Sequence, residues 1–256
     1  MDVLDTIEGV EWLYLCLVLL GASFVHGSLG MGLPMIFTAL AAVLVDVKAA
    51  VFIIIIPSIF INLRCLAQGY DLYHLIKRFF LLAMLAGLGS VVGTEILLVA
   101  PQGPIKIVLA ASIGFYLLID RIRSTQFDWI QAYPLFATLA FGFIAGVIGG
   151  ITNAMGPILI IYFLENQFGS DETVQGLNLC FLVGKIVQLV MFMNTGSTIG
   201  LEDWIWLAAI SVLVFAALIV GIRVRQNMEV TTYRRVLKVA LGIVALVLVF
   251  QIIFSF

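Results

Sequence analysis

The stretch Phe141–Phe163, FGFIAGVIGGITNAMGPILIIYF, is apolar enough to lie in a bilayer, yet it cannot form one continuous helix. Its centre carries several glycines, the polar pair Thr152 and Asn153, and then Gly156-Pro157. Glycine weakens a helix interior, and proline lacks the backbone donor that an interior position needs. Unpaired backbone at membrane depth survives only where protein buries it or where it lines a cavity. The pattern therefore predicts two helical arms around a polar turn.

A second copy of this pattern lies in the N-terminal half, at Gly21–Leu40, GASFVHGSLGMGLPMIFTAL. Gly27 and Gly30 recur as Gly146 and Gly149 with the same spacing, and a proline follows in each copy. Pairs of Gly/Pro-interrupted segments at corresponding positions are the sequence feature that points to a transporter site. We expect the two turns to meet and to form one binding site.

The composition places the chain in a membrane. Of its residues, 63% are hydrophobic and 11% are charged, whereas a soluble chain is about half apolar with about a quarter charged. This indicates an all-α polytopic membrane protein. The net charge of −2 says little about partners, and none of the basic residues forms a patch of the kind that suggests nucleic acid. Three isolated cysteines provide neither a disulfide framework nor a metal site, and no cofactor is expected.

The apolar segments form two similar series. They run approximately over Trp12–Val45, Val47–Leu63, Phe79–Val99, Ile105–Ile119, Ala132–Leu164, Leu177–Met193, Trp204–Ile222 and Val236–Phe254. About 20 residues cross a bilayer as a helix, so the first and fifth segments are too long for one ordinary span. Each repeat is therefore predicted to be a broken, re-entrant helix pair followed by three transmembrane helices.

Loop charges indicate the orientation, because short cytoplasmic loops are enriched in Lys and Arg. If each long segment returns to its starting side, all the basic clusters lie in the cytoplasm and the acidic stretch Met1–Glu11 lies outside. These clusters are Arg64 with Lys77 and Arg78, Arg121 with Arg123, and the stretch Arg223–Lys238. The second repeat is then inverted relative to the first. We expect residues 1–120 and 132–256 to form the repeats of one membrane domain, joined by a cytoplasmic connector at 121–131.

The prolines give the turns a preference for anions. Proline is favoured in the first turn of a helix, so Pro34 and Pro157 predict that the short arms begin at the breaks. Helix N-termini present free N–H groups and the positive end of the dipole. The alternative is that the glycines only permit close helix packing. We favour the binding role for the glycines clustered near the prolines, which are Gly30, Gly32, Gly149, Gly150 and Gly156.

Lys185 lies at the middle of Leu177–Met193, where a lysine costs roughly 2.5–3.5 kcal/mol. Such residues usually face an internal pathway, and a cation there can neutralise an anion. One alternative is a structural partner for a buried carboxylate, for which Glu95 is the candidate. The other is snorkelling of the side chain to the interface, which the central position makes difficult. Gln188 and Asn178 lie on roughly the same side of this helix, at spacings of three and seven residues, so that face is polar.

Other polar residues flank the breaks. Thr152 and Asn153 can cap a half-helix or contact substrate. His26 can donate to an oxyanion or carry a proton, and its alternative is a bond to a nearby backbone carbonyl. The predicted substrate-binding set is His26, Ser28, Gly30, Gly32, Asn62, Gly149, Gly150, Thr152, Asn153, Gly156, Lys185 and Gln188.

The two breaks, GSLGMGLP at Gly27–Pro34 and GVIGGITNAMGP at Gly146–Pro157, together with the duplicated hydropathy, resemble the sulfite exporter TauE/SafE family. The resemblance spans essentially the whole chain. It implies movement of sulfite, or of organosulfonates such as isethionate or sulfoacetate, across the bacterial inner membrane. The chain departs from the family's pattern at Gly30-Met31-Gly32 and at the inserted residues Ile151–Met155. A homodimer and proton coupling are both compatible with this interpretation.

These features favour a secondary transporter that works by alternating access between the repeats. The chain has no Walker motif, so gradients or a partner must supply the energy. A non-transporting scaffold protein is the alternative, and an intramembrane enzyme is disfavoured. His26 and Ser28 are two residues apart and point to different faces, and no GxSxG motif surrounds the serine.

Overall fold

The computed structural model describes residues 9–67, 72–122, 127–194, 201–225, 242, 245–250 and 253. Every regular element in these ranges is an α-helix, which confirms the all-α fold class. In chain order the helices are α1 Gly9–Leu29, α2 Leu33–Ala41, α3 Val47–Ile53, α4 Ile55–Ala67, α5 Leu72–Val99, α6 Gln102–Ile122, α7 Asp128–Ala132, α8 Pro134–Thr152, α9 Gly156–Glu165, α10 Ser170–Asn194 and α11 Leu201–Arg225. Residues 245–250 are also helical, and most of the predicted segment Val236–Phe254 lies outside the described residues.

Five of these helices are long and apolar enough to cross a membrane, namely α1, α5, α8, α10 and α11, counting over the described ranges. The bent pair α3–α4 raises the number to six if it is taken as one span. The helix α7 lies in the predicted connector between the repeats. The chain is therefore a multi-pass helical membrane protein, as its composition predicts.

The predicted apolar segment Val47–Leu63 folds as two helices with a bend between them. The helices α3 and α4 meet at Ile54 with a bend of 43°. Pro57 explains the bend, because its ring crowds the carbonyl group of Ile53 four residues earlier and its nitrogen carries no proton. The helical hydrogen bonds resume at Ser58, whose amide donates to the Ile54 carbonyl oxygen at 3.0 Å.

Each broken helix folds back on itself as a hairpin. In the first hairpin, α1–α2, the hydroxyl of Tyr14 near the start of α1 donates to the carbonyl oxygen of Leu40 near the end of α2 at 3.0 Å. In the second hairpin, α8–α9, the hydroxyls of Thr138 and Tyr162 lie 2.9 Å apart and join the start of α8 to the end of α9. Each hairpin therefore begins and ends at the same end of the helix bundle.

Polar contacts at one end of the bundle fit this arrangement. Glu165, at the end of α9, accepts from the amide of Phe127 at 3.2 Å and, through its carbonyl oxygen, from Gln131 at 2.6 Å. Arg78 near the start of α5 forms an ion pair with Glu172 near the start of α10. This ion pair places the starts of α5 and α10 at the same end of the bundle.

The two halves pack across each other through the same kind of contact. The helix α1 packs along α11, and Ser23 donates to the carbonyl oxygen of Val214 at 2.6 Å. The helix α8 packs along α5, and Ser90 lies 3.4 Å from the carbonyl oxygen of Gly146. The long arm of each hairpin is thus held by a helix from the other half of the chain.

Glycine permits the close approach in both pairs. A methyl group added at Gly27 would lie 3.1 Å from the Cα atom of Gly221, and one added at Gly89 would lie 2.9 Å from the Cα atom of Gly146. Small residues at such crossings let helix backbones approach in a membrane. Gly27 and Gly146, which mark the repeat in the sequence, therefore serve helix packing.

Candidate functional site

Lys185 projects from α10 into the interior, where it is only 4% exposed. Its Nζ donates to Asn153 Oδ1 at 2.5 Å and to Gln188 Oε1 at 2.6 Å. Both partners are neutral, and among the described residues no carboxylate pairs with this lysine. Glu95, the candidate partner from the sequence, is exposed. An ammonium group has three donors, so the third N–H of Lys185 remains for another acceptor.

Asn153 connects the second break to the first hairpin. It caps the end of α8 with a left-handed backbone, φ 63°, which asparagine adopts more readily than most residues. Its Oδ1 accepts from Lys185, and its Nδ2 donates to Thr38 Oγ1 on α2 at 2.8 Å. One side chain thus joins the α8–α9 turn, the helix α10 and the short arm of the first hairpin.

The Gln188 side chain donates to carbonyl groups at the C-terminal end of α8. Its Nε2 lies 3.1 Å from the carbonyl oxygen of Gly150, 3.4 Å from that of Gly149 and 3.3 Å from Asn153 Oδ1. The last carbonyl groups of a helix have no partner within the helix, so a side-chain donor stabilises this end. Gly150 also packs closely, because a methyl group there would lie 2.8 Å from the Ser90 carbonyl oxygen.

A cavity of about 30 Å³ lies between the two breaks. Such a volume holds one or two water molecules. The helices α2 and α9 both begin beside it, and neither is capped by the side chain of its own N-cap residue. The first amide of α2, that of Leu33, donates to His26, so the positive ends of the two helix dipoles are what favour a negatively charged occupant. The residues that line the cavity from the breaks and from α6 and α10 include Gly32, Pro34, Asn153, Gly156, Pro157, Tyr116 and Phe181.

The first break is held by His26, which is fully buried in α1. Its Nδ1 accepts from the backbone amide of Leu33 at 3.2 Å, at the start of α2. The expected alternative was a backbone carbonyl partner, and the partner is a backbone amide. Its Nε2 lies 3.7 Å from Cys65 Sγ. Asn178 on α10 donates through Nδ2 to the carbonyl oxygen of Gly30 at 3.1 Å, so α10 contacts both breaks.

Three predicted residues stand apart from this cluster. Ser28 donates to the Val25 carbonyl oxygen at 3.0 Å, and Thr152 donates to the Ile148 carbonyl oxygen at 2.8 Å, both within their own helices. Neither lines the cavity. Asn62 is fully buried on α4 and also lies outside the cavity lining. Because Ser28 bonds within α1, it does not form the serine–histidine pair that a hydrolase would need.

Sequence reasoning missed some of the residues at the site. Thr38 carries the single hydroxyl group of the apolar helix α2 and lies one turn after Pro34. This isolated polar position is the sequence feature that could have indicated its place at the site. Asn178 lies seven residues before Lys185, and its place on the polar face of α10 indicated a role. Tyr116 and Phe181 line the cavity, but an aromatic residue in an apolar helix carries no signal of that kind.

Two broken hairpins whose turns meet beside a buried lysine define a helical membrane protein with an interior site, the arrangement typical of secondary transporters. The family model described as sulfite exporter TauE/SafE matches residues 15–248, nearly the whole chain. The chain therefore belongs to the TauE/SafE family, whose members are membrane transporters of sulfite-type anions. A search of curated proteins and a search of solved structures give no match.

Proposed function

We propose that this protein is a secondary transporter that moves a small sulfur-containing anion across the bacterial inner membrane by alternating access. Sulfite is the first candidate, followed by organosulfonates such as isethionate and sulfoacetate. The observation that carries the proposal is the environment of Lys185. This buried cation is held by the neutral oxygens of Asn153 and Gln188 and keeps one N–H free.

The buried charge has a cost that an anion can offset. A lysine at the centre of a membrane helix costs roughly 2.5–3.5 kcal/mol, and such residues usually serve a pathway. An oxyanion bound at the breaks would compensate this charge and would also lie at the positive ends of the α2 and α9 dipoles. Asn153 lines the cavity and contacts Lys185, so it connects the two parts of the site.

The size of the cavity supports a closed state in the transport cycle. A volume of about 30 Å³ suits one or two water molecules. A sulfur oxyanion, with three or more heavy atoms, needs more space than this. Binding therefore requires the hairpins to separate. The matching contacts of α1 with α11 and of α8 with α5 support two inverted repeats that rock against each other.

Topology and partners follow from the same proposal. The end of the bundle with Arg78 and Glu172 faces the cytoplasm, and the N-terminus lies outside. Proton coupling and a homodimer remain predictions. A scaffold protein would not need a buried lysine beside an unwound turn, because intramembrane ionisable residues are costly unless they serve a function.

The direct test is a binding screen on the purified protein. A ligand that binds only the folded state raises the apparent stability, by about 2.7 kcal/mol at a hundred times its Kd. Thermal unfolding would be followed with sulfite, sulfate, thiosulfate, isethionate, sulfoacetate and taurine at constant ionic strength. We expect sulfite or a sulfonate to raise Tm in a saturable way. If all these anions behave like chloride, the anion site is contradicted.

A further inference from the structure

The helix α4 carries a buried polar face that the proposed anion site does not use. Ser58 and Asn62 are one turn apart, so they lie on the same side of α4, and both are fully buried. Within the part of the chain that the structure describes, the Ser58 hydroxyl and both polar atoms of the Asn62 amide have no hydrogen-bond partner.

This polar face points to the first break. Cys65, about one turn beyond Asn62, places its Sγ 3.7 Å from His26 Nε2. The Asn178 side chain also lies beside His26, and its Nδ2 donates to the carbonyl oxygen of Gly30. Its Oδ1 is buried and, like the polar atoms of α4, has no partner among the described residues. Two helices, α4 and α10, thus bring unsatisfied polar groups to the first break.

Unsatisfied buried polar groups are rare in native proteins, because each loses its hydration without gaining a bond. Several of them in one place indicate a ligand. The amide oxygens of Asn62 and Asn178 are acceptors only, so an anion would leave both unsatisfied. No group of three or more His, Cys, Asp or Glu side chains suited to a metal ion occurs in the described ranges. Neutral oxygens of this kind suit a cation of low charge.

The second half of the chain shows what such oxygens bind. There, the amide oxygens of Asn153 and Gln188 surround the ammonium group of Lys185. With the offset of 123 residues that relates Pro34 to Pro157, Asn62 corresponds to Lys185 in the repeat and lies near the position of Gln188. The first half therefore presents the amide oxygen of Asn62 where the second half also supplies the cation.

We propose that the first break holds a site for a monovalent metal cation, Na⁺, bound through Asn62 Oδ1, Ser58 Oγ and Asn178 Oδ1. A water molecule retained by the ion accepts from Asn62 Nδ2, which satisfies the other end of that amide. The ion takes the place in the first half that the Lys185 ammonium takes in the second.

The position of this site gives it a role in transport. Asn178 and Lys185 are seven residues apart on α10, which is about 10 Å along the helix axis. A cation at Asn178 and an anion at Lys185 are therefore carried by one rigid element, and the ion also steadies the backbone at Gly30. The coupling of Na⁺ to anion movement rests on the proposed function, whereas the binding of Na⁺ does not.

The test is thermal unfolding of the purified full chain without any sulfur anion. NaCl is compared with N-methyl-D-glucamine chloride at equal ionic strength. We expect a saturable, Na⁺-dependent rise in Tm for the wild type and for Thr94→Val. Thr94 is the matched control, because its hydroxyl is also buried and lacks a partner among the described residues, but it lies beside Gly150 at the second break. Asn62→Leu abolishes the Na⁺ response, and Ser58→Ala weakens Na⁺ binding at least tenfold.

Two results would overturn the proposal. One is a wild type with the same Tm in both salts, which would indicate that only water fills the region. The other is an Asn62→Leu variant that keeps the Na⁺ response. If Asn62→Leu does not fold, binding of ²²Na⁺ by Ser58→Ala against the wild type decides the question by the same criterion. Sulfite stabilisation is measured separately in the sodium-free salt, so failure of the anion site and failure of the cation site are distinguished.

Discussion

Lys185 Nζ and Asn153 Oδ1 are 2.5 Å apart, which joins the centre of α10 to the one left-handed residue of the second break. The same asparagine donates to Thr38 on α2. A change at this pair is therefore felt by both hairpins. Any motion that separates the repeats has to break or carry along the bond from Asn153 to Thr38, which makes this pair the expected link between anion binding and conformational change.

Replacement of Lys185 should lower the affinity for sulfite and leave the free energy of unfolding nearly unchanged. In Lys185→Met the cost of a buried charge disappears, while Gln188 loses a donor, and these effects oppose each other. We expect the free energy of unfolding to stay within about 1 kcal/mol of the wild type. Sulfite affinity should fall at least tenfold, about 1.4 kcal/mol, as measured by the shift in Tm with sulfite concentration. The exposed lysine variant Lys77→Gln is the control and should bind normally.

Asn153 should contribute to stability through its left-handed backbone and to sulfite affinity through its side-chain amide. Asn153→Gly keeps the left-handed backbone accessible and removes the amide, whereas Asn153→Ala also forces a Cβ into that conformation. Left-handed backbone costs an L-residue roughly 1–2 kcal/mol, so Asn153→Ala should be less stable than Asn153→Gly by about 1 kcal/mol in denaturant unfolding. Both should lose sulfite affinity equally. Equal stability of the two variants would contradict the backbone geometry assigned to this residue.

The glycine contacts between the halves should be intolerant of a methyl group. In Gly27→Ala and Gly146→Ala the new Cβ meets the backbone of the opposing helix, and overpacking typically costs about 1–3 kcal/mol. Gly21→Ala is the matched control in α1, because nothing lies within 4 Å of its added Cβ. That variant should gain up to about 1 kcal/mol from helix propensity. Thermal unfolding of the three variants should place Gly21→Ala above the wild type and the other two below it.

The hairpin topology can be tested by labelling from either side of the membrane. Lys48 donates to the Leu98 carbonyl oxygen near the end of α5, and Glu172 pairs with Arg78 near its start, so these positions mark opposite ends of the bundle. In a background without the native cysteines, a membrane-impermeant thiol reagent should modify Lys48→Cys from the outside of intact cells. Glu172→Cys should react only after the membrane is opened. Labelling of both from one side would contradict the topology.

Much of this arrangement follows from local chemistry in the sequence. Glycine and proline predict the breaks in both long segments because their effects on the backbone need no knowledge of neighbours. The basic loop residues predict the return of each hairpin, and the central charge predicts the interior position of Lys185. The bend at Ile54 was missed, although Pro57 signals it by the same rule.

Contacts between distant segments could not be predicted in this way. The bond from Asn153 to Thr38 spans the two halves and depends on how the hairpins are docked. Nor does sequence separate a glycine that permits close packing from one whose carbonyl group holds a side chain of the candidate site: Gly150 contacts α5 closely, and its carbonyl oxygen accepts from Gln188. These roles depend on which helices become neighbours, and local propensity does not specify that.

Sulfite flux in proteoliposomes that contain the purified protein tests most directly whether the protein transports sulfite and whether Lys185 is needed for it. Uptake of radiolabelled sulfite is measured against an imposed gradient for the wild type, Lys185→Met and Lys77→Gln. We expect saturable uptake by the wild type and by Lys77→Gln, and at least a tenfold loss of uptake in Lys185→Met. Uptake by Lys185→Met equal to that of the wild type would contradict the role given to this lysine. Wild-type uptake no greater than in protein-free liposomes would contradict sulfite as the substrate.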